Sequence, residues 1–133
     1  MVLVCDFAGF KVPEMTKKRP VVVISPWRGH SRRGYLHGLC TVVPLSTKIP
    51  YPVEPYHHRI DLSPFPWNLA QKETWAKCDT VATVSINRMN RPYHKKRSGV
   101  RPGYMAVSVT SHDLEAIQMG VMAALGLSNL TGA

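Results

Sequence analysis

The sequence predicts a mainly β domain, in which a small, highly curved antiparallel sheet, able to close into a barrel, precedes one C-terminal α-helix. Three observations support this. Short β-branched and apolar runs follow one another between glycine and proline breakers. A single helical pattern stands near the end of the chain. The 133 residues suffice for one domain, 1–133, with a real core. A parallel α/β fold would need more helices than the sequence offers.

The first two strands are predicted at residues 2–7 and 21–25. The second contains four consecutive β-branched residues, 21–24, which is typical of a strand buried on both faces. Three cations stand directly before it: Lys17, Lys18 and Arg19. Pro20 holds Arg19 in extended geometry, so a rigid strand carries an arginine at its entrance. Such an arrangement suits a cation that contacts a phosphate, and equally a solvated strand end.

The middle of the chain alternates predicted strands with loops. Residues 26–38, rich in glycine and arginine, are expected to form a mobile basic loop before a third strand at 39–45. A fourth strand is predicted at 56–62, followed by an insertion at 63–73 packed by its aromatic residues. A strand pair or one bent strand is expected at 75–79 and 81–84, then a flexible basic loop at 90–103 and a last strand at 104–109.

The C-terminal helix is expected to begin at a cap formed by Thr110 or Ser111 and to end near Gly126. Acidic residues in the first turn suit the helix dipole. One face carries apolar residues at helical spacing: Leu114, Ile117, Val121 and Leu125. The helix should therefore bury this face on the sheet.

Composition limits the classes of function. The formal net charge of +9 favours an acidic partner, either nucleic acid or protein. No apolar run is long enough for a membrane span, and no signal peptide is apparent. The three cysteines are widely spaced and odd in number, which favours reduced thiols and a cytoplasmic location. The histidines and cysteines show no metal-ligand spacing, so neither a metal nor another cofactor is expected.

Four segments, in order, resemble the PemK/MazF (Kid) family of bacterial toxins. They are Arg-Pro-Val-Val-Val-Ile-Ser at 19–25, Thr-Val-Val-Pro-Leu-Ser-Thr at 41–47, Pro-Tyr-His-His-Arg-Ile at 55–60, and Lys-Cys-Asp-Thr-Val-Ala-Thr-Val-Ser at 77–85 with Arg88. The resemblance implies an SH3-like barrel with a C-terminal helix, a homodimer, and an endoribonuclease that cuts single-stranded RNA without a metal. It also implies a cognate antitoxin as partner, acidic and encoded by a neighbouring gene.

The resemblance assigns five candidate catalytic residues. Arg19 would clamp the scissile phosphate, and Ser46 would donate a hydrogen bond to it; otherwise they are a surface arginine and a turn-forming serine. Lys77 and Asp79 match the family's proposed acid and base, and would face one side of a strand; the alternative is a surface ion pair. Glu14 would orient Arg19 or act as base, unless it is an ordinary loop carboxylate.

A second group is expected to bind the RNA: Lys17, Lys18, Thr47, His57 and Arg88. His57 is a candidate for proton transfer, although packing or base stacking is the commoner role of a strand histidine. Trp67 and Trp75 could stack on bases, but core packing is the more usual role for a tryptophan.

Two other functions remain open. A toxin of the CcdB type, or a family member without cleavage activity, would act by binding a protein and would not need Arg19 with Ser46. A non-toxic single-stranded nucleic-acid binder could use the same cationic groove. Growth inhibition that survives Arg19→Ala would favour the first, and tight RNA binding without cleavage the second.

Overall fold

The computed structural model describes residues 1–11, 17–25, 28–32, 35–60, 73–94, 103–104 and 106–131. In this part of the chain ten strands precede one helix, α1, at Ser111–Ala124. The strands are β1 Val2–Asp6, β2 Lys18–Val23, β3 Arg28–Arg32, β4 Tyr35–Ser46, β5 His57–Ile60, β6 Thr74–Lys77, β7 Ala82–Ser85, β8 Met89–Asn90, β9 Tyr93–His94 and β10 Gly103–Tyr104. Short 3-10 turns occupy Cys78–Thr80, Ile86–Arg88 and Ser128–Thr131.

Eight strands form one antiparallel sheet around the long strand β4. The neighbours run β5-β6-β4-β2-β1-β8, while β3 and β7 pair with the first part of β4. β9 and β10 form a separate two-stranded sheet. Among the described residues the strand order is an open path, not a closed ring. The mainly β antiparallel fold with a C-terminal helix is confirmed.

Alternate residues of the strands enter two different apolar clusters. One cluster joins Val22 of β2 and Val43 of β4 to Ile117 of the helix. The other contains the adjacent residues Val21 and Val42, on the opposite side of their strands. The β-branched run of β2 is therefore buried on both faces, as its composition predicts.

Helix α1 packs on the first cluster through Ile117 and has a defined start and end. Thr110 is the cap: its side chain accepts the backbone N–H of Asp113 at 3.1 Å. The Asp113 carboxylate contacts His58 of β5, with Oδ1 2.9 Å from Nε2. Gly126 ends the helix with φ of +76°, a conformation that favours glycine. Leu125 is 61% exposed, so its predicted place on the buried face is wrong.

Several predicted boundaries are also wrong. The chain from Arg28 to Arg32 pairs with the start of β4, so most of the expected basic loop at 26–38 is a β-hairpin. β2 begins at Lys18, which puts Arg19 inside the strand and not at its entrance. The expected last strand at 104–109 is reduced to β10 and one bridge between Val107 and Val2. Most of the insertion at 63–73 and of the basic loop at 90–103 lies outside the described residues.

Candidate functional site

Arg19 of β2 and Ser46 of β4 lie close together, since both line one cleft. β2 pairs antiparallel with β4, with Val21 opposite Pro44 and Val22 opposite Val43. This pairing ends at Val21, and its extension by two residues would place Arg19 opposite Ser46. Directly opposed side chains in such a pair have Cβ atoms about 4.5–5.5 Å apart. A guanidinium and a hydroxyl are therefore neighbours on one face of the sheet, and Arg19 is exposed.

A cleft of about 230 Å³ opens where β2 begins and β4 ends. Its lining combines cations, hydroxyl groups and apolar residues: Lys18, Arg19, Pro20, Leu45, Ser46, Thr47 and Thr74. Lys18 and Thr47, both predicted to bind RNA, are thus brought together with the Arg19–Ser46 pair. Such a surface offers positive charge and hydrogen-bond donors to an anion.

The hydroxyl of Ser46 has a defined orientation. Its Oγ accepts the backbone N–H of Lys48 at 3.1 Å, in the turn that follows β4. A hydroxyl that accepts one hydrogen bond can still donate its own hydrogen. The turn-forming role considered for Ser46 is therefore present, and it is compatible with donation to a ligand in the cleft.

Lys77 and His57 lie on the same face of the sheet as Ser46. They form the next β5–β6 pair on this face after the pair that contains Trp75. Ser46 pairs with Trp75 of β6, and Lys77, two residues further along, pairs with His57 of β5. The Nδ1 of His57 accepts the backbone N–H of Glu54 at 3.0 Å, which orients the ring. Both side chains are half-buried, and neither lines the cleft.

Asp79 is not on a strand. β6 ends at Lys77, and Asp79 is an exposed residue of the 3-10 turn Cys78–Thr80. The expectation that Lys77 and Asp79 face one side of a strand is wrong, because the turn ends the two-residue alternation. Burial raises the pKa of the Tyr56 phenol, and the nearby carboxylates of Asp79 and Glu54 raise it further. Asp79 is not among the residues that line the cleft.

The other predicted cations have separate positions. Lys17 is exposed directly before β2. Arg88 donates from Nη1 to the backbone carbonyls of Asp6 (2.9 Å) and Ala8 (2.7 Å), and its guanidinium lies 5.2 Å from the centre of the Phe10 ring. Arg88 thus holds the turn after β1, beside a second cleft of about 300 Å³ that Lys18 also borders.

Glu14, the remaining candidate, lies outside the described residues. Thr74, which sequence reasoning did not single out, contributes to the cleft although it is only 1% exposed. The predicted strand began one residue later, at Trp75. The alternation of Thr74 with Ala76 on the buried face was the available signal.

Comparison with known families identifies the chain. The sequence profile of the family described as PemK-like, MazF-like toxin of type II toxin-antitoxin system matches residues 1–122. The chain belongs to this toxin family. The predicted resemblance is therefore confirmed, over more of the chain than the four segments that suggested it.

Solved structures of PemK/MazF-like proteins share the fold. The Mycobacterium tuberculosis toxin MazF-mt6 superposes with a TM-score of 0.55 at 17% identity, covering 95% of this chain and 96% of that one. An endoribonuclease in complex with its cognate antitoxin, from Mycobacterial species, gives 0.57 at 18% identity, covering 95% and 91%. At these identities the likeness shows the fold alone. Comparison with curated protein sequences gave no match.

Three further observations concern the part of the chain that the structure describes. No helix within the described ranges is both long and apolar enough to cross a membrane. In the same part of the chain, no group of three or more His, Cys, Asp or Glu side chains is arranged to hold a metal ion. Cys5, Cys40 and Cys78 are buried free thiols.

Proposed function

We propose that this toxin is a sequence-specific, metal-independent endoribonuclease that cuts single-stranded RNA. The ribose 2′-OH would attack the adjacent phosphorus, leaving a 2′,3′-cyclic phosphate and a 5′-hydroxyl end. The observation that carries the proposal is that Arg19 and Ser46 border one cleft together with Lys18 and Thr47. Family membership and the charge of +9 support the same function.

The pair suits the charge that develops during this reaction. As the 2′ oxygen attacks, negative charge grows on the two non-bridging oxygens of the phosphorane. The planar guanidinium of Arg19 can donate two parallel hydrogen bonds to them, and the Ser46 hydroxyl can donate a third. Both donors extend from strands of one sheet, which limits the reorganisation of the backbone that carries them, and such preorganisation is the main source of catalysis by fixed donors.

Proton transfer also needs a base for the 2′-OH and an acid for the leaving 5′ oxygen. We assign these roles to Asp79 and Lys77, following the family resemblance, with Glu14 as the alternative base. Ser46 pairs with Trp75, and Lys77 lies two residues further along β6 on the same face of the sheet. This position supports its role as acid. Asp79 is next to this strand end but outside the cleft, so the RNA backbone would have to extend beyond the cleft for Asp79 to reach the 2′-OH.

The proposed partners follow from the net charge and from family membership. A basic toxin attracts the RNA phosphates and an acidic antitoxin by the same long-range electrostatics. One related structure is an endoribonuclease with its cognate antitoxin, which supports an antitoxin for this chain. The family resemblance implies that a neighbouring gene encodes it. We also propose a homodimer, as the family resemblance implies, acting in the cytoplasm.

The test uses purified, antitoxin-free protein and a long single-stranded RNA in the presence of EDTA. Cleavage should persist without metal, and the fragments should accept phosphate from polynucleotide kinase at their 5′ ends without prior dephosphorylation. Arg19→Ala should lose the activity, while Arg91→Ala, which removes an exposed arginine outside the cleft, should retain it. Intact RNA across many sequence contexts, with folded protein, would refute the proposal.

A second function draws on the position of Asp79. Because the family's proposed base lies outside the cleft on an exposed turn, a toxin that acts by binding without cleavage, as CcdB-type proteins do, is the alternative. Expression in a bacterial host separates the two. Equal growth inhibition by wild type and Arg19→Ala would support protein binding, and loss of inhibition in Arg19→Ala would support the nuclease.

A further inference from the structure

Trp75 has an unusual position for a tryptophan. Its neighbours in β6, Thr74 and Ala76, are buried on the face that carries helix α1. Trp75 points to the opposite face and is only half-buried. Among the described residues it belongs to neither apolar cluster, and it does not pack against either one. Core packing within this part of the chain therefore does not explain the residue.

The indole ring is held by its edge. Its Nε1–H donates to Oε2 of Glu73 at 3.2 Å, and the other oxygen of Glu73 lies 3.6 Å from a guanidinium nitrogen of Arg59. This chain of contacts fixes the plane of the ring through its edge. A tryptophan whose N–H is satisfied and whose ring stays partly exposed can serve as a stacking surface.

Trp75 also lies in line with the proposed phosphate site. It is opposite Ser46 of β4 on one side and opposite Arg59 of β5 on the other. With Arg19 next to Ser46, one row across the sheet reads arginine, serine, tryptophan, arginine. Neighbouring strands are about 4.8 Å apart, so the indole is one strand spacing from Ser46. That distance is within the size of a single nucleotide.

We propose that Trp75 stacks on the base of a nucleotide whose phosphate is bound by Arg19 and Ser46, and that Arg59 contacts the next phosphate. This inference rests on the proposed function and adds a substrate-binding residue to it. Glu73 is a positioning residue, because it acts through the indole N–H and the arginine. Stacking on an indole is open to all four bases, so Trp75 supplies affinity and register and not the choice of sequence.

The test separates stacking from electrostatic attraction with two probes. The first is a short, fluorescently labelled, random-sequence single strand in which every ribose is 2′-O-methylated, so that it binds but cannot be cut. The second has the same length and phosphates but carries abasic residues throughout. Dissociation constants are measured for wild type, Trp75→Leu, Trp75→Phe, Arg19→Ala and Tyr51→Leu, with urea unfolding as the control for folding.

Trp75→Leu should weaken binding of the base-bearing strand by about 5- to 150-fold, the loss of one base–aromatic stack, and leave the abasic strand unchanged. Trp75→Phe should retain most of the affinity. Arg19→Ala should weaken both probes. Tyr51→Leu, which removes a fully exposed aromatic ring from the β4–β5 loop, should change neither.

The inference is overturned if Trp75→Leu weakens both probes equally or neither, or if Tyr51→Leu has the same effect. A loss that follows a fall in unfolding free energy and is not rescued by phenylalanine would also overturn it, as a purely structural role. Base-dependent binding without any cleavage of unmodified RNA would instead refute the proposed function and retain the stacking site. Cleavage of unmodified RNA, combined with a Trp75→Leu effect that does not depend on the bases, would refute the stacking site and retain the proposed function.

Discussion

Gly120 of helix α1 should not tolerate even one added methyl group. A Cβ built there would lie 2.8 Å from Sγ of Cys78 and 3.3 Å from the carbonyl oxygen of Tyr56. Cys78 is fully buried, and its backbone N–H donates to that same Tyr56 carbonyl at 3.3 Å. Neither atom can withdraw without disturbing the core, so Gly120→Ala should force the helix away from the sheet.

Two opposing terms determine the magnitude. Overpacking of a core typically costs about 1–3 kcal/mol. Replacing glycine by alanine inside a helix raises the free energy of unfolding by about 1 kcal/mol. The net loss in the free energy of unfolding should be roughly 0–2 kcal/mol, measured from urea unfolding curves. The Cys78→Ala background supplies the matched test, because it removes the sulfur atom that makes the shortest contact.

In that background Gly120→Ala should cost clearly less than in the wild type. The reasoning is refuted if Gly120→Ala stabilises the wild type by the full helix-propensity gain, or if its cost is the same with and without the sulfur. The 3-10 turn of Cys78 also carries Asp79 and follows Lys77. Displacement of the turn should therefore slow RNA cleavage in the folded variant, since both residues are assigned to proton transfer.

Three further outcomes concern contacts outside the cleft. Asp113→Ala should lower the unfolding free energy by about 1 kcal/mol through the lost contact with His58, and the double variant with His58→Ala should lose less than the sum of the single changes. Arg88→Ala should cost about 2 kcal/mol, because two backbone carbonyls lose a charged donor, while RNA affinity should fall less than in Arg19→Ala. Burial raises the pKa of the Cys5 and Cys78 thiols to about 11 from 9.0, so both should resist iodoacetamide at pH 8 in the native protein. The two protonated thiols should contribute their full share to the free energy of unfolding below pH 9. This share should be lost as the pH rises through about 11, because the thiols of the unfolded chain ionise first. Urea midpoints measured across this pH range should therefore fall less steeply in Cys5→Ala than in the wild type.

The strands and the helix were predictable where a local pattern decides the structure. The β-branched run at 21–24 is buried on both faces, and the capping side chain of Thr110 with Gly126 bounds the helix. The hairpin of β3 and β4 was not predictable, because glycines and arginines at 28–38 resemble a loop. In the structure residues 35–39 of β4 pair with β3, and β7 pairs with β4 from Leu39 onward; no local sequence signal reports either pairing.

The pairing of Arg19 with Ser46 was expected from the resemblance, and its geometry needed the strand register. The two-residue spacing of Lys77 and Asp79 predicts that both side chains lie on one face of a strand. This prediction is wrong because the strand ends at Lys77 and a 3-10 turn follows. For Trp75 the sequence favours core packing, since a tryptophan is usually buried, and the structure shows it half-buried. How far it is buried depends on what covers each face of β6, which a local sequence pattern does not contain.

The central claim is that Arg19 and Ser46 bind one scissile phosphate together. A double-mutant cycle on the single-turnover cleavage rate of one RNA tests it most directly. Each single alanine variant should slow cleavage by about 10²- to 10³-fold, the loss of one preorganised donor. The double variant should lose less than the product of the two effects, because both side chains stabilise the same charge. Wild-type rates in either single variant, or fully multiplicative losses in the double variant, would contradict the shared site.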